Sequence, residues 1–358
     1  MKNKKMILIV IGAVIAVALI GSIIFYNNGI TAVSNKDEKV IVKIEGSGKQ
    51  ILNTLQKNEL IKNKLCADIF LKLNNFENLK ANTYILNKNM SLSEIFSIIE
   101  KGDFEHILKS KLTIKEGTTI PAVAAEFAKI LDISKEDVIK KWANQDYLKS
   151  LTKEYWFLDE KVVLDKDIMY PLEGYLYPDT YYVTDEKPTI ESLTKHALDM
   201  MDKNLSTIKD KIEALKWTPH QFLTFASIVE RESGLDETDR PMISGVFMNR
   251  LKQGMLLQSD ITVNYAWQRT GVDVSYKHLE IESRYNTYKY TGLPVGPIST
   301  IPLSTMKDCI DYTKHDYLFF FAMKKKENPK ETVVVYTKTN QEHTNEVKKA
   351  RDAGLWLD

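Results

Sequence analysis

Between Met6 and Tyr26 the chain carries no charged residue and is almost wholly apolar, which leaves that stretch few ways to fold. As a helix rising ~1.5 Å per residue it reaches roughly 30 Å, the thickness of the hydrocarbon layer of a bilayer. Inside that layer a lone segment satisfies its backbone only as a helix, because neither water nor a neighbouring strand supplies partners. The run therefore predicts a single crossing. A cleaved export signal is the competing reading, but its apolar region spans only about 7–15 residues and ends at small residues. Here the one Ala-x-Ala, Ala16 to Ala18, is followed by more apolar sequence, which favours an uncleaved anchor. Lys2, Lys4 and Lys5 precede the run and the next lysine is Lys36. The positive-inside rule then keeps the N-terminus (residues 1–5) cytoplasmic and places everything after Tyr26 outside the cell membrane.

The rest of the 358 residues suffices for two or more domains with sizeable cores. Residues 27–38 are polar and read as a linker. Residues 39–104 read as a small α+β module: a strand at Val40–Ile44, a turn at Gly46, and a Ser47-x-x-Gln50 capping box opening a helix with Ile51, Leu52 and Leu55 on one side. A second helix over 64–73, a short strand at Thr83–Leu86 and a helix capped by Ser91-x-x-Glu94 and stopped by Gly102 complete it. Residues 105–358 read as one larger, mixed α+β domain. Its strand-glycine-helix opening, Leu112 to Gly117 and then Pro121 to Leu131, is followed by a helix capped by Ser134-x-x-Asp137. Beyond Pro188 the pattern is helix-rich, and two strands, Tyr317–Ala322 and Thr332–Tyr336, stand near the end.

Several classes of chemistry find no support. A formal net charge of +1 lacks the basic excess of a nucleic-acid footprint. Cys66 and Cys309 stand far apart without a Cys-x-x-Cys, so neither a disulfide framework nor a zinc site is expected. The six histidines form no His-Glu-x-x-His, no Gly-x-Ser-x-Gly makes Ser233 a nucleophile, and there is no glycine-rich phosphate loop. No metal and no cofactor is predicted.

Thr218-Pro219 is a helix start, and Phe222, Phe225, Ala226 and Val229 recur at the spacing of a buried helical face until Gly234 stops the run. Glu230 and Glu232 fall in its last turn. On a helix, neighbours lie three and four residues away, so Glu232 has Ile228 and Val229 beneath it while Glu230 has Ala226 and Ser227. Glu232 thus has the more apolar setting, which disfavours its charged form, and the negative end of the helix dipole pushes the same way. A carboxyl so raised suits a general acid near neutral pH. Spacing alone leaves open that both glutamates are solvated last-turn residues.

The Ala226-Ser-Ile-Val-Glu-Arg-Glu-Ser233 run resembles the Glu-Ser signature of lytic transglycosylases, and the longer pattern is similar to the endolytic murein transglycosylase (YceG-like) family. Leu172-Glu-Gly-Tyr-Leu-Tyr-Pro-Asp-Thr-Tyr181, Val246-Phe-Met-Asn-Arg-Leu251, Leu257-Gln-Ser-Asp260 with Thr262, Val263 and Tyr265, Tyr285-Asn-Thr-Tyr288 and Gly292-Leu-Pro-Val-Gly-Pro-Ile298 follow in the family's order. The resemblance spans nearly the whole chain beyond the membrane segment. It implies a LysM-like module over 39–104, a catalytic domain over 105–358, and Glu232 as the catalytic acid. It further implies endolytic cleavage of the MurNAc-GlcNAc bond of nascent peptidoglycan glycan strands, leaving 1,6-anhydroMurNAc ends and limiting strand length beside peptidoglycan synthases. The chain departs from the pattern at Thr300-Ile301-Pro302, where the family reads Asn-Pro-Gly, at Ile261, where it often has Pro, and at Val334, where it often has His.

Gln258, Asn286 and Tyr288 are candidates for hydrogen bonds to the sugar N-acetyl and hydroxyl groups, and Tyr175, Tyr177 and Tyr181 for flat contacts with sugar rings. Glu173 and Asp260 are the other acids in these motifs. Opposite Glu232, either would make a two-carboxylate muramidase-type hydrolase. Their structural alternatives are bonding backbone groups around Gly174 and capping the next helix. A non-catalytic, peptidoglycan-binding scaffold is the remaining alternative.

Overall fold

The computed structural model describes residues 2–74, 76, 78–108, 110–185, 187–233, 237–269, 274–328 and 331–357, with only the backbone for 2–9 and 237. The expected helix stop at Gly234 lies outside the described residues. The chain divides into two compact units, Met1–Lys111 with Tyr182–Glu186, and Leu112–Tyr181 with Lys187–Asp358.

In the first unit α1 (Lys2–Gly29) contains the apolar run and continues a turn beyond it. Its side chains from Val10 to Phe25 are largely exposed, as a helix made for lipid rather than for a protein core must be. Strand β1 (Lys39–Ile44) pairs antiparallel with β2 (Asn82–Asn87). Helices α2 (Gly48–Lys57) and α3 (Lys64–Leu73) lie between them in sequence, and α4 (Leu92–Lys101) follows. The expected caps are present: Gln50 Oε1 accepts from Ser47 N at 2.8 Å, and Ser91 and Glu94 complete a full capping box. Gly102 ends α4 in the left-handed region (φ 64°), where only glycine sits without strain. Val42, Ile44, Leu55, Tyr84, Ile95, Phe96 and Ile99 form the core.

Residues 27–38, expected as a linker from their polarity, are bonded to the module. Leu92 N donates to Ile30 O and Ser34 N to Lys88 O, both at 3.0 Å, and Ile30 packs on the core. These two backbone hydrogen bonds fasten the end of α1 to the module.

The second unit is mainly helical. The division falls within the strands of a short sheet, β3 (Ser110–Thr113) and β4 (Thr180–Val183). Between them in sequence come α5 (Ile120–Leu131), α6 (Lys135–Trp142), α7 (Gln145–Glu154) and α8 (Glu160–Val163). Then follow α9 (Ile190–Ser206), α10 (Lys209–Ala214) and α11 (Pro219–Glu232), the last opened by a Thr218–Gln221 capping box with Pro219 at its first position. Helices α12 (Arg240–Lys252), α13 (Asp260–Ala266), α14 (Tyr276–Leu279) and α15 (Leu303–Ile310) surround α11 or lead from it. Strands β5 (Phe319–Lys324) and β6 (Thr332–Thr337) pair antiparallel, Phe319 opposite Thr337, and α16 (Asn340–Asp352) packs on them.

Helix α11 is the centre of this unit. Every residue from Phe222 to Glu230 is buried, against α12, α13 and α15. A helix buried on all sides has lost the one-sided pattern of a surface helix, so its ends are where chemistry reaches solvent.

Candidate active site

Glu232 is the last residue of α11, and Ser233 terminates the helix. Its side chain is enclosed by protein yet remains partly open to solvent. Burial pushes its carboxyl up to about 7. Ser259 Oγ donates to Glu232 Oε1 at 2.6 Å and works against that shift, the negative charge of Asp260 adds to it, and Arg250 and Arg231 lower it from a distance. Among the described residues no cation pairs directly with this carboxylate.

The Leu257-Gln-Ser-Asp260 segment is held facing Glu232 by the next motif. Thr287 takes both ends of the turn: its carbonyl accepts from Gln258 N at 3.1 Å and its hydroxyl from Ser259 N at 3.0 Å. Gln258 adopts φ 49°, a left-handed conformation that turns the chain sharply before α13, and its side chain is exposed. Asp260 does not cap α13 through its side chain as expected. It is the first helical residue, and its carboxylate accepts from the Tyr288 hydroxyl. Glu232, Ser259, Asp260 and Tyr288 thus form one connected set, with Gln258 beside it.

Most of the other candidates are buried. Asn286 is fully buried, donating to the carbonyls of Leu279 (2.8 Å) and Ile281 (3.0 Å) and accepting from Tyr288 N (3.0 Å), so it shapes the loop and has no amide atom left for a sugar. Tyr175 and Tyr181 are buried, their hydroxyls bonded to His220 Nδ1 and Tyr177 O. Tyr177 is half-buried and accepts from Leu303 N at 3.2 Å, anchoring α15. Glu173 is 1% exposed and receives Ile120 N on both oxygens (3.2 and 3.0 Å) and the Tyr265 hydroxyl (3.1 Å). It holds the start of α5, and burial raises its carboxyl to about 8.

The paired glutamates differ in their partners. Glu230, not Glu232, is the more buried: Arg240 Nη2 lies 3.2 Å from its Oε2, and the Thr305 hydroxyl donates to the same oxygen at 2.5 Å. Glu230 is a neutralised structural anion, whereas Glu232 is the one left with a hydroxyl partner. Neither Arg240 nor Ser259 was singled out from sequence, although Ser259 lies within the Gln-Ser-Asp stretch; nothing local to Arg240 signals its partner.

The proline-glycine loop closes against the acid-bearing helix. His220 Nε2 donates to Val295 O at 2.8 Å, which fixes its tautomer and leaves Nδ1 to accept from Tyr175; Ile298 N donates to Ser227 Oγ at 3.0 Å. A Cβ on Gly174 would stand 2.4 Å from Pro297 Cβ, so the glycine of the Leu-Glu-Gly-Tyr stretch is required for this closure. The departing residues lie under the site: Thr300 is buried and its hydroxyl accepts from Thr118 N (3.1 Å) and donates to Lys115 O (2.7 Å), while Ile301 and Pro302 are buried beside it. Val334 is paired with Ala322 in the β5–β6 ladder.

The YceG-like family model matches residues 40–349. The chain is 35% identical over 329 residues to the endolytic murein transglycosylase of Bacillus subtilis (strain 168), covering 91% of this chain and 89% of that protein. It is also 35% identical over 330 residues to the endolytic murein transglycosylase of Streptococcus pneumoniae (strain D39), covering 88% of this chain and 59% of the longer pneumococcal protein. Among solved structures, a yceG-like protein from Listeria monocytogenes superposes with a TM-score of 0.61 at 34% identity, over 87% of this chain and 100% of that one.

Proposed function

The chain belongs to the YceG-like family, and from that premise we infer that it is a lytic transglycosylase acting on peptidoglycan, with Glu232 as its acid. One observation carries the role of Glu232. It is the partly open carboxyl at the end of the buried helix α11, held by Ser259 and raised to about 7.

In this reading the protonated Glu232 gives its proton to the bridging oxygen as the bond from the MurNAc C1 breaks. The resulting carboxylate then takes the proton of the C6 hydroxyl of the same sugar while O6 bonds to C1, closing a 1,6-anhydro ring. The proton returns to Glu232 and no water is consumed. An attacking group already on the substrate supplies the effective concentration that a second reactant would otherwise lack. One carboxyl serves both steps because its value near neutrality favours neither form strongly. Ser259 holds the carboxyl in place, and Gln258, Asp260 and Tyr288 offer exposed or partly exposed polar groups to the glycan.

The strand–helix–helix–strand–helix order of the first unit supports its reading as a LysM-like module that holds glycan. Endolytic action on nascent strands beside synthases, and placement of the catalytic unit outside the membrane, rest on the resemblance and on the lysine pattern. A hydrolase reading has one observation in its favour, the exposed Asp260 beside Ser259. Product chemistry separates the two. Full-length protein incubated with glycan strands is expected to give new 1,6-anhydro ends by mass spectrometry; reducing ends carrying an added water would make it a muramidase.

A further inference from the structure

Helix α3 carries a surface that its own unit does not use. Cys66, Ala67 and Phe70 face the core and are buried, while Leu65 (61% exposed), Ile69 (38%) and Leu73 (70%) are open. These three recur every fourth residue and so form one apolar stripe. A row of large apolar side chains left open on a ten-residue helix is unusual unless something covers it.

The position of α3 identifies the cover. It packs against the end of α1: a Cβ on Gly29 would fall 2.3 Å from Cys66 Sγ, Cys66 Sγ lies 3.7 Å from Phe25 O, and Lys62 Nζ donates to Asn28 Oδ1 at 2.8 Å. Leu65 and Ile69 flank Cys66 on the helix, so the stripe adjoins the side that meets α1. Phe25 lies roughly 6 Å along the axis from Gly29 at ~1.5 Å per residue. Cys66 is therefore level with the last turns of the apolar helix, where a spanning segment leaves the hydrocarbon. Lys72 borders the stripe and is exposed, the arrangement in which a lysine stem lies along acyl chains and its ammonium group reaches lipid phosphate, while Lys64 Nζ stands 3.6 Å from Asp68 Oδ2. Tyr26, next in depth, is of the kind enriched at that boundary.

We propose that α3 lies in the headgroup layer of the bilayer crossed by α1, with Leu65, Ile69 and Leu73 inserted among the upper acyl chains, so that the module is seated on the membrane as well as tethered to it. This rests on the reading of α1 as a spanning helix, and the experiment tests the two apart. Cys66 and Cys309 are buried, so single cysteines placed at Leu65, Leu73, Leu19 in α1 and the exposed Asn53 in α2 can each be given a polarity-sensitive fluorophore in the full chain. Each is reconstituted in phosphatidylcholine–phosphatidylglycerol vesicles with nitroxide lipids labelled near the headgroup or deep in the chain. Leu19→Cys is expected to be quenched by the deep nitroxide, and Leu65→Cys and Leu73→Cys several-fold more than Asn53→Cys by the shallow one.

Quenching at 19 with 65 and 73 no different from 53 would overturn the seating and leave the span intact. Absence of quenching at 19 would remove the span and the seating with it. Blue-shifted emission at 65 and 73 without lipid quenching would put protein, such as a second copy, on the stripe and also overturn it.

Discussion

The two glutamates at the end of α11 differ in what neutralises them, and that difference sets what each can do. Glu230 and Arg240 form a buried pair with 7% and 5% of their side chains exposed. Removing one member strands the other, a loss of about 3–5 kcal/mol. Among the described residues Glu232 has a hydroxyl partner and no cation, and its carboxyl is raised to about 7. Glu232→Gln is therefore expected to cut turnover about 10²–10⁴-fold while thermal melting stays close to that of the parent. Glu230→Gln should lower the melting temperature by several degrees, and any loss of activity should follow from that. Activity in a folded Glu232→Gln protein would show that another group is the acid. The pH profile gives a second check. Because the first step needs Glu232 protonated, kcat/KM should fall as pH rises through about 7. Ser259 holds the carboxyl below the value burial alone would give, so Ser259→Ala should move that falling limb to higher pH; a shift the other way would deny the contact any role in tuning the acid.

At the scale of elements, the sequence announced local structure well and long-range pairing poorly. Caps such as Ser91–Glu94 and Thr218–Gln221 act over three residues, so the helices they open were legible where they stand. Helix α11 was legible for the same reason, from Thr218-Pro219 and the spacing of its apolar residues. Asn286 was not, because whether an amide points outward or into its own loop depends on carbonyls at 279 and 281 that pattern does not reveal. Glu173 is bound to α5, 53 residues away, and to Tyr265, 92 away, partners that only the packed domain brings together. This buried acid has a measurable consequence. Its folded carboxyl is raised to about 8 from an ordinary 4.5, so the native state retains a proton that the unfolded chain releases between those values. The stabilisation is whole below about 4.5 and is lost as pH rises through about 8, at roughly 1.4 kcal/mol for each pH unit of the window. Melting temperature should accordingly decline from pH 5 to pH 8. Glu173→Gln, which still accepts from Ile120 but cannot ionise, should flatten that decline; an unchanged slope would mean that other groups set it.

For the whole molecule, the decisive relation is between α1 and the polymer the second unit acts on. A helix with mean hydropathy 2.3 over Val10–Gly29 and exposed side chains is built for lipid, and its end is bonded into the first unit through Ile30 and Ser34. If α1 spans as proposed, the module begins within a turn of the membrane and the chain after it emerges on one side only. The side proposed here rests on charge: Lys2, Lys4 and Lys5 crowd the short N-terminal flank, and moving them across would oppose the positive-inside bias. Peptidoglycan lies on the opposite side, so orientation and substrate stand or fall together. In cells stripped of wall but otherwise intact, protease added outside is expected to degrade everything beyond about Asn27 and leave a small fragment carrying α1. Deleting residues 1–26 should release the protein from membranes while its activity on isolated glycan strands survives. A large domain protected in intact cells, and cut only after the membrane is opened, would reverse the orientation and separate the enzyme from its polymer.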